Sequence, residues 1–377
     1  MERKVTSYQA ILLILIFRVI IGFSYLPSIN IIPANQDAWI VLLLSIPYVL
    51  LLCFPVLFLS NRFNELTLIE YMENIFGKVI GKIVGSYYSL FFLVSAIFFL
   101  SLLIEMLDST MFPNTPTWFT ALIGIATCTY VAYKGLITMC KTGEIIVPFI
   151  LIVIFLLSVL GWKRMDLKVL LPILKDSTLD GINKGTIDVA LRFTDILVLA
   201  MITPYLEEKE KLNSIFYKCL VYSTLIIVLM LIVTQSVLGI EQAKHANFPF
   251  FTYTRTIELY HFIERIESIF IVTWIMGSIG KISGLLYFSS VSMSQVLNKT
   301  NNKPYIIPNA VIVLIASVIL KDNRPIVAVK HPIQGILLII SLISMFIIPL
   351  IALIVYLFRR KSIEANKYNK NSKMERP

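Results

Sequence analysis

Long apolar runs alternate with short polar connectors along almost the whole chain. Ten runs are long enough to cross a bilayer as helices. They predict spans over Tyr8–Ile32, Asp37–Leu59, Ile80–Thr110, Thr117–Tyr133, Glu144–Gly161, Ile187–Leu206, Ser214–Gly239, Ile266–Gln295, Pro304–Leu320 and Gly335–Phe358. The pattern predicts an all-α integral membrane protein of about ten transmembrane helices. Residues 1–358 form a single transmembrane domain that divides into two sets of five spans, 8–161 and 187–358. The tail 359–377 is basic and polar; it is expected to be disordered and to lie against anionic membrane lipid.

The first span is interrupted. Phe17–Pro27 reads F-R-V-I-I-G-F-S-Y-L-P and places an arginine, a glycine, a serine and a proline inside an apolar run. Arg18 falls about 15 Å along a helix starting near Tyr8, about mid-bilayer. Gly22 and Pro27 both weaken helix. Freed backbone groups survive in hydrocarbon only where protein buries them or a wet cavity meets them. A broken helix facing an internal site is one reading; a proline kink near the outer end of a packed helix is the other.

The sixth span opens the second set of five and reads I-D-V-A-L-R-F-T-D-I-L-V-L-A-M-I-T-P-Y-L, with Asp188, Arg192, Asp195 and Pro204. Interruptions at matching positions of two halves point to a transporter-type binding site. Intramembrane charges are costly and usually face the bundle interior. Arg18 and Asp195 are expected near mid-depth, close enough to interact directly or through a ligand, and a purely structural ion pair would use the same residues. Lys281 in the eighth span lies near mid-depth. Glu105, Asp108 and Glu144 read as caps near span ends. The chemistry suits a small zwitterion. Free N–H groups around Gly22, Phe23 and Ser24 would hold a carboxylate. Carbonyls near Phe193 and Thr194, with Asp195, would hold an ammonium. Phe23, Tyr25 and Phe193 would wall the side-chain pocket.

Composition narrows the function. The chain is 57% hydrophobic and 15% charged, against roughly a quarter charged in soluble domains; its mean hydropathy is +0.82. The net charge of +10 reflects loops and tail, so nucleic acid is not an expected partner. Lysine and arginine are richer in the segments that share a side with the termini, which puts both termini in the cytoplasm. The outer connector Trp162–Thr186 is unusually long and basic. In Glu241–Arg265, Phe250, Phe251, Tyr253, Ile257, Tyr260 and Ile263 would line an amphipathic surface helix, either a lid or an interfacial aromatic belt. Gly77, Gly81 and Gly85 recur every four residues as a face for close helix packing. Cys53, Cys128, Cys140 and Cys219 lie in or beside apolar runs and read as reduced packing residues. No metal or other cofactor is expected. No Walker loop, Gly-x-Ser-x-Gly or His-Glu-x-x-His motif suggests an enzyme.

Several short pieces together resemble one family. They are G-F-S-Y-L-P (Gly22–Pro27), Q-D-A-W-I (Gln36–Ile40), L-I-E-Y (Leu68–Tyr71), F-G-K-V-I-G-K (Phe76–Lys82), L-L-P-I-L (Leu170–Leu174), D-G-I (Asp180–Ile182), Pro204–Leu206 and K-I-S-G-L-L-Y (Lys281–Tyr287). The chain resembles the spore germination permeases, the B subunits of GerA-type germinant receptors, within the amino acid–polyamine–organocation transporter superfamily. The sequence departs from the family at Ile20, where glycine is common, and at Arg18. The resemblance implies a LeuT-like five-plus-five inverted repeat with broken first and sixth helices. It also implies a sensor in the inner membrane of the spore, working with an A subunit and a C lipoprotein, that binds an amino acid ligand and signals germination. A working amino acid or organic cation permease is the other reading. Lys281 would supply a fixed positive charge where related transporters hold a cation.

Overall fold

The computed structural model describes residues 4–31, 35–175, 177–257, 266–323 and 332–374. Its helices are α1 (Ser7–Ile31), α2 (Ala38–Arg62), α3 (Leu68–Phe76), α4 (Lys78–Thr110), α5 (Thr117–Lys134), α6 (Leu136–Leu160), α7 (Leu179–Leu191), α8 (Ile196–Ile202), α9 (Leu212–Leu238), α10 (Ile240–His245), α11 (Pro249–Thr254), α12 (Glu267–Val296), α13 (Lys303–Asn323), α14 (Pro332–Leu342) and α15 (Ile348–Met374). A π-helical turn, Ile343–Ile347, joins α14 to α15. Among the described residues the only strand-like pairing is a parallel bridge between Val5 and Leu206. It ties the N-terminus to the end of the sixth span through Val5 N–H to Tyr205 O (2.8 Å) and Glu207 N–H to Val5 O (2.9 Å).

Each predicted span corresponds to helix. Seven helices among the described residues are long and apolar enough to cross a membrane; α1, α5 and the α7–α8 pair occupy the other three predicted spans. The protein is an integral, multi-pass membrane protein. The core forms where α1 and α4 both pack against α12. Glycine on α12 permits the approach. A Cβ at Gly284 would stand 2.3 Å from Phe17 Cζ, and one at Gly277 would stand 2.2 Å from Ile20 Cδ1. With no side chain at these positions, the α1 backbone comes within reach of the α12 side chain between them, Lys281.

The Gly77–Gly81–Gly85 face divides into two roles. Gly77 has φ +86° and turns the chain from α3 into α4 in a conformation that favours glycine. Gly81 and Gly85 are the close-packing positions: a Cβ would stand 2.4 Å from Glu73 Cα at the first and 2.7 Å from Val296 Cγ2 at the second. The L-I-E-Y motif is a helix start. Thr67 accepts from the Glu70 N–H while Glu70 accepts from the Thr67 N–H (2.8 Å), a reciprocal cap on α3.

Four expectations change. The first span is not broken, because α1 is helical throughout Ser7–Ile31. Gly22 instead marks a close approach, with a Cβ there 2.7 Å from Ile227 Cγ1 on α9. The sixth span starts earlier, at Leu179, capped by the Thr178 hydroxyl accepting from Gly181 N–H at 3.1 Å. The expected surface helix is two short helices, α10 and α11; Phe250, Phe251 and Tyr253 of α11, and Ile257 just after it, are buried in protein. The Tyr253 hydroxyl donates to Leu157 O at 2.6 Å, which fixes α11 on the end of α6; Tyr260 and Ile263 lie outside the described residues. The basic tail continues α15 as helix to Met374, where disorder was expected.

The long connector before α7 is anchored rather than loose. Asp37 is fully buried. Its carboxylate accepts from Leu174 N–H (3.1 Å to each oxygen) and from the Ser177 hydroxyl at 2.5 Å. The Gln36 amide donates to Pro172 O at 3.1 Å. Two of the matched sequence pieces, Gln36–Ile40 and Leu170–Leu174, are therefore the two sides of one clamp.

Candidate functional site

The site forms where the sixth span breaks. After α7 the chain runs Arg192, Phe193, Thr194 and Asp195 before α8 begins. Arg192 is held back on α7 by Asp188, with bonds of 3.0 and 3.2 Å. Asp195 sits at the N-cap of α8, yet its side chain makes no capping bond. Its carboxylate is directed across the bundle, and Asp195 Oδ1 meets Lys281 Nζ at 3.5 Å. The residues from Ile196 to Ile202 are all buried, so this short helix enters the core directly.

Three other elements complete the geometry. From α1, the Phe17 carbonyl accepts from Lys281 Nζ at 2.6 Å. From α4, the Phe99 ring lies under the ammonium, 4.0 Å from Nζ to centroid, and Phe17 lies at 5.6 Å. Cation–π contacts of this kind strengthen when desolvated. Arg18, also on α1, donates from Nη1 to Arg192 O at 3.0 Å and stacks on Phe193 at 4.7 Å. Phe193 is in turn braced edge-on by Phe216 of α9 at 5.8 Å. Arg18, Asp195 and Lys281 are 3%, 3% and 2% exposed. Three charged side chains this deep in an apolar bundle are costly unless neutralised by partners. One acceptor remains open: Asp195 Oδ2 is buried with no hydrogen-bond donor among the described residues.

The sequence-predicted residues fall into three groups. Arg18, Phe193, Asp195 and Lys281 come together as described, and half-buried Thr194 lies in the same break. Gly22 is packed against Ile227, inside a continuous helix. Its N–H is therefore not freed by unwinding, and the expected carboxylate cradle is not formed there. The side chains of Phe23, Ser24 and Tyr25 lie outside the described residues. Glu105 is buried on α4, about 9 Å farther along the helix than Phe99. Asp108 and Glu144 join elements together. Asp108 accepts from Lys321 at 2.5 Å, Thr117 at 3.1 Å and Thr120 at 3.2 Å, and Glu144 accepts from Gln9 at 3.1 Å. Sequence reasoning missed Phe99 and the Phe17 carbonyl as partners of Lys281. The available signal was a mid-span lysine in a bundle whose third span is rich in phenylalanine. The four cysteines are buried and unpaired. Among the described residues no three His, Cys, Asp or Glu side chains are grouped to hold a metal.

A helical membrane bundle with a split sixth span and converging charges at the split defines a transporter-like protein. Solved structures that share this fold include three transport proteins. The chain aligns with MhsT in complex with L-phenylalanine at TM-score 0.62 and 12% identity, over 95% of this chain and 99% of that one. It aligns with a Na⁺-coupled sialic acid symporter at 0.66 and 12%, over 92% and 80%, and with Mhp1, a nucleobase-cation-symport-1 family transporter, at 0.63 and 11%, over 90% and 75%. The chain therefore has the LeuT-like fold. Residues 4–325 match the family described as Spore germination protein, and the chain belongs to that family. Among curated relatives it is 24% identical to spore germination protein KB of Bacillus subtilis (strain 168) over 93% of this chain and 96% of the relative. It is 22% identical to spore germination protein GerQB of Bacillus cereus over 86% and 88%.

Proposed function

We propose that the chain is the permease-like subunit of a germinant receptor. It binds a small neutral amino acid at the break between α7 and α8, and it signals through partner subunits, an A subunit and a C lipoprotein. The observation that carries the binding site is Asp195 Oδ2, a buried carboxylate oxygen without a donor among the described residues. Leaving such an acceptor unmet costs about 1–3 kcal/mol or more for a charged group. An amino acid's ammonium would meet it, with Phe193 as an apolar wall. That MhsT was solved with L-phenylalanine makes an amino acid a reasonable class for this fold. The membrane concerned is the inner membrane of the spore, with both termini on the core side.

Lys281 favours sensing over ion-coupled transport. Its ammonium occupies the space between the Phe17 carbonyl and Asp195. A coupling cation must leave its place in every cycle, and a tethered lysine cannot. The alternative is a working amino acid or organic cation permease. The test uses the purified chain in lipid vesicles with a panel of labelled neutral amino acids. Saturable binding near one equivalent per protein, without accumulation, supports the sensor; uptake well beyond that supports the permease. Asp195→Asn abolishes binding while leaving the protein folded. Undiminished binding in that variant overturns the site.

A further inference from the structure

A cavity lined by α2, α9 and α15 has the chemistry of a lipid site. It lies between the last turns of α2, the Tyr356–Arg360 stretch of α15 and the first turns of α9, with a volume of about 550 Å³. Two helix stripes line it. On α2, Phe54, Phe58 and Arg62 follow at four-residue spacing, so they share one face. On α15, Leu357 and Arg360 stand three residues apart on one face. Both stripes run from apolar to cationic in the same direction, toward the end of the bundle expected to face the cytoplasm. Phe54 is 55% exposed and Leu357 is 56% exposed, so the apolar part opens sideways to where hydrocarbon would be.

The polar end is organised. Arg62 Nε donates to the Tyr356 hydroxyl at 2.8 Å, which holds the guanidinium at the rim. Asn61 of α2 donates to Asn213 of α9 at 2.8 Å and closes the floor. Among the described residues, those that line the cavity include no carboxylate. Neighbouring Arg359 donates to Ile75 O at 3.1 Å and fixes this part of α15 on the C-terminus of α3. We propose that this groove binds one anionic phospholipid, with its phosphate between Arg62 and Arg360 and an acyl chain along Phe54, Phe58 and Leu357. The occupant follows from the pairing of an apolar trench with two arginines at its rim: a free phosphate has no use for the trench, and a neutral lipid has little use for the arginines.

Native mass spectrometry of the detergent-purified full chain, titrated with phosphatidylglycerol or phosphatidylcholine, tests this. One retained phosphatidylglycerol per chain is expected, preferred roughly 30-fold over phosphatidylcholine for two arginines near a membrane surface. Arg62→Gln/Arg360→Gln lowers that preference to near unity. Because Arg62→Gln also breaks the Tyr356 bond, Arg360→Gln alone and the groove-filling Leu357→Trp are run beside it; both weaken retention while thermal unfolding without added lipid stays unchanged. Equal retention of the two lipids overturns the proposal, as does an undiminished preference in the variants. Displacement of the lipid by glycerol phosphate at comparable concentration also overturns it, since the site would then be one for free phosphate.

Discussion

Replacing Lys281 with methionine removes the ammonium at the centre of the bundle while keeping most of the side chain's volume. The structure sets the scale. At 3.5 Å and an effective dielectric of about 20, two unit charges attract by about 4.7 kcal/mol. Lys281→Met leaves the buried Asp195 carboxylate without its cation, and removing one partner of a buried pair costs about 3–5 kcal/mol. Asp195→Asn is milder, because the ammonium keeps the Phe17 carbonyl and the face of Phe99. The double variant recovers most of the loss, since neither charge then remains to be satisfied. The assay is a double-mutant cycle on unfolding of the purified chain in mixed micelles. A coupling of about 3 kcal/mol is expected. A coupling below about 0.5 kcal/mol would refute the pairing of Asp195 with Lys281. In the single variant Lys281→Met, amino acid binding to vesicles is expected to become sodium-responsive. Binding that stays intact and indifferent to sodium would mean that the ammonium does not stand in for a coupling cation.

Two further substitutions test the scaffold around the site. Gly284→Ala drives a methyl to within 2.3 Å of the buried Phe17 ring; overpacking of this kind costs about 1–3 kcal/mol, and a lowered midpoint in the same micelle assay is the check. Asp37→Asn loses the charge that holds Leu174 N–H and the Ser177 hydroxyl, where bonds to a charged group contribute about 1.5–3 kcal/mol. Faster proteolysis between residues 170 and 178 is expected, and an unchanged cleavage rate would show that the clamp does not hold the connector.

The spans were legible because a membrane helix must be apolar along its whole length, so each announces itself in sequence. The ends were less so. The first turns of α7 read L-D-G-I-N-K-G, polar enough to pass for a loop, and only the Thr178 cap and the Asp37 clamp reveal them as the start of a span. Glycine was the most ambiguous letter. Gly22 reads as a helix breaker, but its missing side chain serves the approach of α9 through Ile227, and α1 stays whole. The same letter at Gly277 and Gly284 proved central, because it lets Lys281 reach an α1 carbonyl. The site's charges were legible as mid-depth oddities. Their pairing was not, because Asp195 and Lys281 lie 86 residues apart and helix rotation about its axis is set by packing partners. Arg18 and Asp195 were expected close enough to interact, directly or through a ligand; the structure brings both to the same break, Arg18 on the Arg192 carbonyl and the Phe193 ring.

The proposed sensor has an energetic requirement that the Asp195–Lys281 contact meets in scale. A ligand moves a two-state protein from 1:99 to 99:1 only if it favours one state by about 5.5 kcal/mol. A ligand ammonium arriving at the open Oδ2 would then share the charge of the Asp195 carboxylate with Lys281 on Oδ1, and the lysine, less strongly held, would fall back on the Phe17 carbonyl and the Phe99 ring. The interaction at stake, about 4.7 kcal/mol at the observed distance, is comparable with the whole shift required. It also acts where α1, α4, α8 and α12 meet, so a change there is felt by both sets of five spans. A zwitterion fits this scheme better than a simple cation. Its carboxylate would offer Lys281 or Arg18 a replacement partner at the moment its ammonium takes Asp195, so exchange need not leave a buried charge unmet. On this reading an amine lacking the carboxylate binds weakly and does not signal, even though it carries the group that Asp195 recognises. Comparing a neutral amino acid with its decarboxylated amine in the vesicle binding assay separates the two cases, and equal affinity would remove the exchange from the mechanism.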